Sequence, residues 1–394
     1  MENQRNKGNT MLLTGAILQL FLGIIYVWSV FVLPVNEYFK WDVDSVKLTS
    51  SFMLCCFVLG ILFGGRLQVK VGTSKIVLAG GLAMAAGMLL TSFIPMDAPW
   101  LIYITYGIAG GFGVGMAYNA IISAAQSWFV HKRGFATGIS VCTFGFSTVI
   151  FAPVIEILVK NFGLMTTFRV LALAFCLATL ALFRFITLPE KITDNKAADK
   201  VFETKQYTTG QMIKTPAFFM IMFSMMFLTS SYFILNPSFK SLALERGLDS
   251  NIGTILVMLT GVANALGRLG VPLLADKIGR EKAVITIILA TALATVALCF
   301  VTGSFFMAAV AVIAFCYGGS SGVYPLVTAD YFGIKNIGSN YGAIMVGFAC
   351  SALGFPIIIG LIKDITVKFI VLAALVTLGS VLIGLLMAQK KKMK

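Results

Sequence analysis

Residues 216–236, PAFFMIMFSMMFLTSSYFILN, form an apolar run that contains no charged side chain. A helix of about 20 apolar residues is long enough to cross roughly 30 Å of hydrocarbon. Comparable runs recur along the 394-residue chain, which is 58% hydrophobic and only 12% charged, with a mean hydropathy of +0.93. The sequence therefore predicts an all-α polytopic membrane protein.

We expect twelve transmembrane helices arranged as two six-helix bundles. A β-barrel is rejected because its strands would be about ten residues long with strictly alternating polarity. The predicted segments, called spans 1 to 12, are 11–33, 48–68, 76–95, 100–125, 135–159, 168–187, 216–236, 252–274, 283–302, 304–326, 338–361 and 367–388.

The basic residues are sorted by side of the membrane. Most of the 30 Lys and Arg residues, including the tail Lys390-Lys391-Lys392, lie on the side of the N terminus. The positive-inside rule then predicts that both termini are cytoplasmic, in a multi-pass membrane protein. This sorting accounts for the net charge of +14 without nucleic-acid binding. We expect a monomer in the lipid bilayer.

Two pairs of glycines indicate an internal duplication. Gly279, between spans 8 and 9, follows Gly72, between spans 2 and 3, by 207 residues (279 minus 72). Gly318 of span 10 follows Gly110 of span 4 by 208 (318 minus 110). Nearly equal spacings favour two parallel repeats. We predict an N-terminal bundle at 1–187, a cytoplasmic loop at 188–214 and a C-terminal bundle at 215–394.

Residues that could support enzymatic chemistry are scarce. His131 is the single histidine, and the sequence has no Walker loop, nucleophile elbow or paired-carboxylate motif. The seven cysteines all fall in predicted spans, where they act as small apolar residues. We therefore expect neither an enzyme nor an ATP-driven pump, and no metal or cofactor.

Arg268 is the most informative residue of the sequence. It lies inside span 8, where a cation is costly unless it faces the bundle interior and meets an anion. A guanidinium holds a carboxylate through two parallel hydrogen bonds, although a structural salt bridge or snorkelling remains an alternative. Aromatic and amide side chains that could complete such a site are Tyr26, Trp28, Tyr118, Asn119 and Tyr317.

Four motifs suggest a family. One is the loop Asp276-Lys277-Ile278-Gly279-Arg280; the others are the stretches 23–31, 128–134 and 332–342, which include Tyr26-Val27-Trp28, His131-Lys132-Arg133-Gly134 and Asn340-Tyr341-Gly342. With these motifs the chain resembles the major facilitator superfamily, and more closely its oxalate/formate antiporter branch. The resemblance implies a gating loop that contains Asp276, Lys277, Gly279 and Arg280.

The resemblance also implies a substrate site. Arg268 would bind a carboxylate, and Tyr26, Tyr118 and Tyr317 would line the pocket. Phe348 stands where the dicarboxylate carrier of the branch has a second cation. Asn264 stands where animal monocarboxylate carriers have an aspartate linked to proton transport. Val69 stands where the superfamily normally has an acid.

These features predict a secondary active transporter that moves small monocarboxylates of the lactate, pyruvate or formate type by alternating access. Anion exchange and proton symport both remain open. The alternatives are an oxalate/formate-type dicarboxylate antiporter, an exporter of another small molecule, and a membrane sensor or scaffold.

Overall fold

The computed structural model describes residues 2–189, 206–235 and 250–392. The regular structure in these ranges is helical throughout, and ten of its helices are long and apolar enough to cross a membrane. Helices of 29 and 18 residues lie at the positions of spans 8 and 9. The main helices of spans 1 to 12 are Glu2–Leu22 with Trp28–Phe39, Val43–Val71, Thr73–Thr91, Gly111–Trp128, Arg133–Phe162, Leu164–Leu182, Pro216–Leu235, Ser250–Ile278, Arg280–Ala297, Gly303–Phe332, Ile337–Gly360 and Ile365–Lys392.

Spans 1 and 4 are less regular than the hydropathy pattern predicts. A 3₁₀ segment, Gly23–Val27, interrupts span 1, and a π-helical segment, Tyr103–Gly110, opens span 4. A Cβ at Gly23 would overlap the backbone carbonyl of Phe144 in span 5, so only glycine permits this approach. Span 1 continues to Phe39, where Lys40 closes the helix with a φ of +52°.

The chain divides into two compact units. Unit 1 contains Met1–His131, Thr143–Glu203 and Ile334–Gly342, and unit 2 contains Lys132–Cys142, Thr204–Gly333 and Ala343–Lys394. Unit 1 therefore contains the short segment that opens span 11, and unit 2 contains the short segment that opens span 5. Each of these segments comes from the other half of the sequence. Of the predicted loop 188–214, residues 190–205 lie outside the described residues, and Thr209–Met212 forms a capped helical turn.

The glycines that suggested duplication have matching backbones. Gly72 has φ 92° and ψ 155°, and Gly279 has φ 96° and ψ 151°. A residue with a side chain rarely adopts this conformation, so both turns depend on glycine. The equal geometry supports the internal repeat. We call the end of each unit that carries Gly72 or Gly279 its inner end, because the charge pattern predicts that it faces the cytoplasm.

Candidate functional site

Arg268 is fixed by close packing of spans 8 and 10 in unit 2. A Cβ at Gly267 would overlap the carbonyl of Phe315, and one at Gly318 would overlap the carbonyl of Asn264. The two backbones are therefore in direct contact in the turn that precedes Arg268. Glycine at these positions brings the functional side chains of two helices together.

The guanidinium of Arg268 is buried within this helix pair. The residue is 1% exposed, and its Nε donates a hydrogen bond of 2.9 Å to Oδ1 of Asn264, one turn earlier. This bond fixes the plane of the guanidinium and uses one of its five N–H donors. A buried cation is stabilised by an anion that arrives in suitable geometry. The arrangement can therefore hold a carboxylate.

Four rings from spans 7, 10 and 11 form an aromatic cluster in unit 2. Tyr317 and Phe348 are 3% and 2% exposed, and their ring centroids are 6.2 Å apart. Phe233 is nearly perpendicular to both rings, at 5.4 Å from Tyr317 and 4.9 Å from Phe348. Tyr232 stacks on Tyr317 at 3.8 Å with an interplanar angle of 9°. We call these four residues the unit 2 cluster.

Of the unit 2 cluster, Tyr317 lies on the same helix pair as Arg268. Tyr317 directly precedes Gly318, which packs on Asn264, and Asn264 accepts from Arg268. Unit 2 thus contains four of the residues that the sequence singled out: Arg268, Asn264, Tyr317 and Phe348.

Sequence reasoning missed Tyr232 and Phe233. The duplication contained a signal for Tyr232, which follows Tyr26 by 206 residues (232 minus 26), one less than the spacing of the turn glycines. Applying the repeat to each candidate aromatic residue would have found it. No comparable sequence signal identifies Phe233.

Tyr26 and Tyr118 belong to a separate cluster in unit 1, together with Phe57 and Phe144. Tyr118 lies 4.7 Å from Phe144 and 5.3 Å from Phe57, and Tyr26 lies 5.5 Å from Phe144. Tyr118 is 3% exposed. The roles of Tyr26 and Tyr118 in substrate binding stay predictions.

The polar groups of Asn119 and Trp28 are engaged by the backbone of unit 1. Nδ2 of Asn119 donates to the carbonyls of Ile61, at 3.1 Å, and Gly338, at 2.6 Å. Both N–H donors of the amide are then used, and its remaining oxygen only accepts, so Asn119 has no donor left for a carboxylate. Nε1 of Trp28 donates to the carbonyl of Val46 at 3.0 Å. These contacts favour structural roles.

The predicted gating loop is part of an ionic network at the inner end of unit 2. Arg280 pairs with Asp276 at 2.5 Å and approaches Asp330 at 3.6 Å. Arg133 pairs with Asp330 at 2.7 Å. Gly279 makes the turn, and Lys277 is exposed in the last turn of span 8.

A second charged cluster attaches the end of span 12 to this inner end. Oε1 of Glu281 accepts from Lys390 at 2.6 Å and from the Tyr331 hydroxyl at 3.0 Å. Burial by itself would raise the pKa of Glu281, but the hydrogen bonds and the charge of Lys390 outweigh it and lower this pKa below its usual value. The carboxylate therefore stays charged at neutral pH. Within the described residues no group of three His, Cys, Asp or Glu could hold a metal ion.

The family is identified by comparison with known proteins. A model of the Major Facilitator Superfamily matches residues 12–356 and, in a second match, 222–392. The chain is 26% identical over 362 residues to an uncharacterized MFS-type transporter, YhjX, of Escherichia coli (strain K12), covering 89% of this chain and 87% of that protein. It is 24% identical to the oxalate:formate antiporter of Oxalobacter formigenes, covering 88% and 83%.

A third relative and the solved structures agree with this family. Monocarboxylate transporter 12 of Rattus norvegicus is 25% identical, covering 90% of this chain and 80% of that protein. The proton:xylose symporter XylE has a TM-score of 0.70 at 14% identity, covering 96% and 95%. The predicted all-α, twelve-helix fold is confirmed. The chain belongs to the major facilitator superfamily of membrane transporters.

Proposed function

We propose that this protein is a secondary active transporter of small monocarboxylates, and that Arg268 binds the carboxylate. The observation that carries the proposal is the buried Arg268, held by Asn264, whose backbone contacts Gly318 next to Tyr317 of the unit 2 cluster. The carboxylate neutralises a cation that is otherwise costly to bury, and the rings provide an apolar wall for the rest of a small acid. The similarity to an oxalate:formate antiporter and to a monocarboxylate transporter supports small carboxylates as the substrate class.

The arrangement of unit 2 favours one carboxylate over two. Phe348 is 2% exposed and packs against Phe233, so this part of unit 2 is apolar where a second anion would need a cation. A monocarboxylate such as lactate, pyruvate or formate has no second carboxylate to place against these rings.

Uptake of labelled L-lactate by the purified protein in liposomes tests the proposal. Arg268→Gln is expected to reduce kcat/KM by about a hundredfold, since losing one partner of a buried charge pair costs about 3 kcal/mol. Arg268→Lys is expected to retain partial uptake, because an ammonium keeps the charge but loses the planar pair of donors.

Arg169→Gln provides a matched control. Arg169 lies in span 6 of unit 1, where it donates to Ser92 at 3.3 Å, so its loss removes a cation without changing the surroundings of Arg268. Uptake should survive this change. Lactate uptake by folded Arg268→Gln protein at the wild-type KM would contradict the proposal.

The same liposomes show whether lactate transport is coupled to protons or to exchange with another anion. Accumulation driven by an inward proton gradient identifies a symporter, and accumulation driven only by internal formate or lactate identifies an exchanger. Asn264 does not titrate, so a symporter requires a protonated group elsewhere.

We further propose that the chain acts as a transporter rather than an enzyme, as a monomer in the inner membrane with both termini cytoplasmic. Cysteine labelling from each side checks the orientation.

Substitution of Phe348 tests the dicarboxylate alternative. Phe348→Lys adds a second cation and is expected to improve competition by oxalate against lactate by about tenfold, the effect of one charge-assisted hydrogen bond. Phe348→Met keeps the site apolar and serves as the control. If oxalate competes equally well against wild-type and Phe348→Lys protein, Phe348 does not set the preference.

A further inference from the structure

Tyr232 stacks face to face on Tyr317 more closely than Phe348 does. The ring centroids are 3.8 Å apart and the planes differ by 9°. Tyr232 is half-buried, whereas Tyr317 is almost completely buried. One face of Tyr317 is therefore covered by a protein ring and is closed to any other group.

The remaining contacts restrict Tyr317 further. Phe233 is nearly perpendicular to it, at 79°, and Phe348 is closer to parallel, with ring centroids 6.2 Å apart and an interplanar angle of 28°. Span 7 thus contributes two consecutive residues that hold one ring of span 10. Neither residue lies on span 8, so the stack positions Tyr317 independently of Arg268.

The corresponding tyrosine of unit 1 packs differently. Tyr26 precedes Tyr232 by 206 residues, but it lies edge-on to Phe144, at 5.5 Å and 86°. Phe348 in turn follows Phe144 by 204 residues (348 minus 144). If unit 2 copied unit 1, Tyr232 would contact Phe348, yet it stacks on Tyr317 while Phe233 contacts Phe348. The stack of Tyr232 on Tyr317 is therefore not a copy of the contact between Tyr26 and Phe144.

We propose that Tyr232 is a positioning residue for substrate selectivity: its stack on Tyr317 fixes the apolar wall and so limits the size of the acid that Arg268 accepts. The inference rests on the proposed monocarboxylate transport. The ring of Tyr232, rather than its hydroxyl, performs this function.

The test compares three variants in liposomes by KM and kcat for L-lactate and by competition from 2-hydroxy acids with longer side chains. Tyr232→Phe keeps the ring and is expected to behave as wild type. Tyr232→Leu and Tyr232→Met remove it and are expected to raise the KM for lactate about fivefold, the effect of one aromatic pair, with little change in kcat. Longer acids should compete better against these two variants.

Phe223→Leu is the matched control on the same span. Phe223 stacks on Phe219 and Phe227, at 6.3 and 6.4 Å, away from the unit 2 cluster. The Phe223→Leu variant should leave the KM for lactate and the competition by longer acids unchanged. Two ring-removing variants are used because one of them could fail to fold, which the yield of monodisperse protein reports.

The outcomes separate the two proposals. If wild-type protein transports lactate through Arg268 but all three Tyr232 variants show the wild-type KM and competition, the role of Tyr232 is overturned and the proposed function stands. The role is also overturned if Tyr232→Phe is as defective as Tyr232→Leu. Absence of monocarboxylate transport by the wild type overturns both.

Discussion

At the inner end of each unit, a helix-opening segment from the other half of the sequence packs against the unit. The groups around this contact are neutral in unit 1 and charged in unit 2. In unit 2 the segment that opens span 5 docks against span 8, and in unit 1 the segment that opens span 11 docks against spans 2 and 4. Each segment uses a pair of glycines, Gly134 with Gly138 and Gly338 with Gly342, and the pairs are 204 residues apart (338 minus 134). We call the two contacts the unit 1 seam and the unit 2 seam.

The unit 1 seam is closed by neutral groups. Gly65 packs directly on the backbone of Gly338, whose carbonyl accepts from Asn119 at 2.6 Å. Gln68 donates to Ser123 at 2.8 Å and to Thr73 at 3.0 Å. Gly65, Gln68, Asn119 and Gly338 carry no side-chain charge, so these contacts of the seam are between neutral groups.

The unit 2 seam is closed by charges. Gly134 lies against the Asp276 carboxylate and the carbonyl of Pro272. Asp276 pairs with Arg280, and Arg133, the residue before Gly134, pairs with Asp330. Val69 of unit 1 and Asp276 of unit 2 are 207 residues apart (276 minus 69), so the exchange of an apolar residue for an acid accompanies the change in chemistry.

The difference teaches that the duplication preserves backbone contacts more strictly than side-chain chemistry. Glycine at a helix crossing has no substitute, because any side chain meets backbone atoms. The polar groups around the crossing need only find hydrogen-bond partners among one another, and neutral or charged partners both meet this requirement. The two seams should therefore differ in their sensitivity to salt.

The largest expected effect comes from Gly65→Ala. The new Cβ would overlap the carbonyl of Gly338 and lie 2.6 Å from the amide nitrogen of Ser339, and no rotamer change relieves a clash with backbone. We expect a loss of about 3 kcal/mol in the free energy of unfolding, seen as a lower Tm of the purified protein. Gly384→Ala, where nothing lies within 4 Å, is the control and should keep or slightly raise Tm. Equal stability of both variants would refute close packing in the unit 1 seam.

Asn119→Leu is expected to have the next largest effect. It removes the donor from the carbonyls of Ile61 and Gly338 and should cost about 2 kcal/mol, equally at low and high salt. The KM for lactate should not change, because both donors of Asn119 serve the seam. Ser127→Ala, which loses only a hydrogen bond within span 4, is the matched control. A large rise in KM without a loss of stability would return Asn119 to the substrate site.

The smallest effect is expected for the Arg133–Asp330 pair of the unit 2 seam. The two side chains are 14% and 25% exposed, so a double-mutant cycle with Arg133→Gln and Asp330→Asn should give a coupling of about 1 kcal/mol at low salt. This coupling should shrink at high ionic strength, because salt screens partly exposed charges. A coupling that is insensitive to salt would remove the contrast between the seams.

Hydropathy and glycine spacing were sufficient to predict the membrane fold and the repeat. The runs of apolar residues located the spans because chain length and hydrocarbon thickness are local constraints. Arg268 could be predicted as buried from its position in span 8, since a cation in hydrocarbon has few other solutions. Tyr317 was singled out as an aromatic residue that could complete the site, and Phe348 by resemblance, and both lie in the unit 2 cluster.

The division of residues between the two units could not be predicted in the same way. Asn119 looked suitable for a substrate because its amide lies next to Tyr118 in span 4, yet this amide donates to the backbone of a residue far along the chain. Tyr232 lies in an apolar run in which any aromatic residue would look like packing. Its stacking partner is 85 residues away (317 minus 232).

The sequence by itself determined the number of apolar segments, the duplication and the presence of a cation within a span, because each depends on composition or spacing along the chain. Only the tertiary structure decided that Tyr232 covers Tyr317, that Asn119 closes a seam, and that the helix-opening segments of spans 5 and 11 pack in the unit opposite to their own half. These outcomes depend on which distant side chains meet. Which side chains meet is determined by the close packing of whole helices, and a pattern within a short stretch of sequence does not predict it.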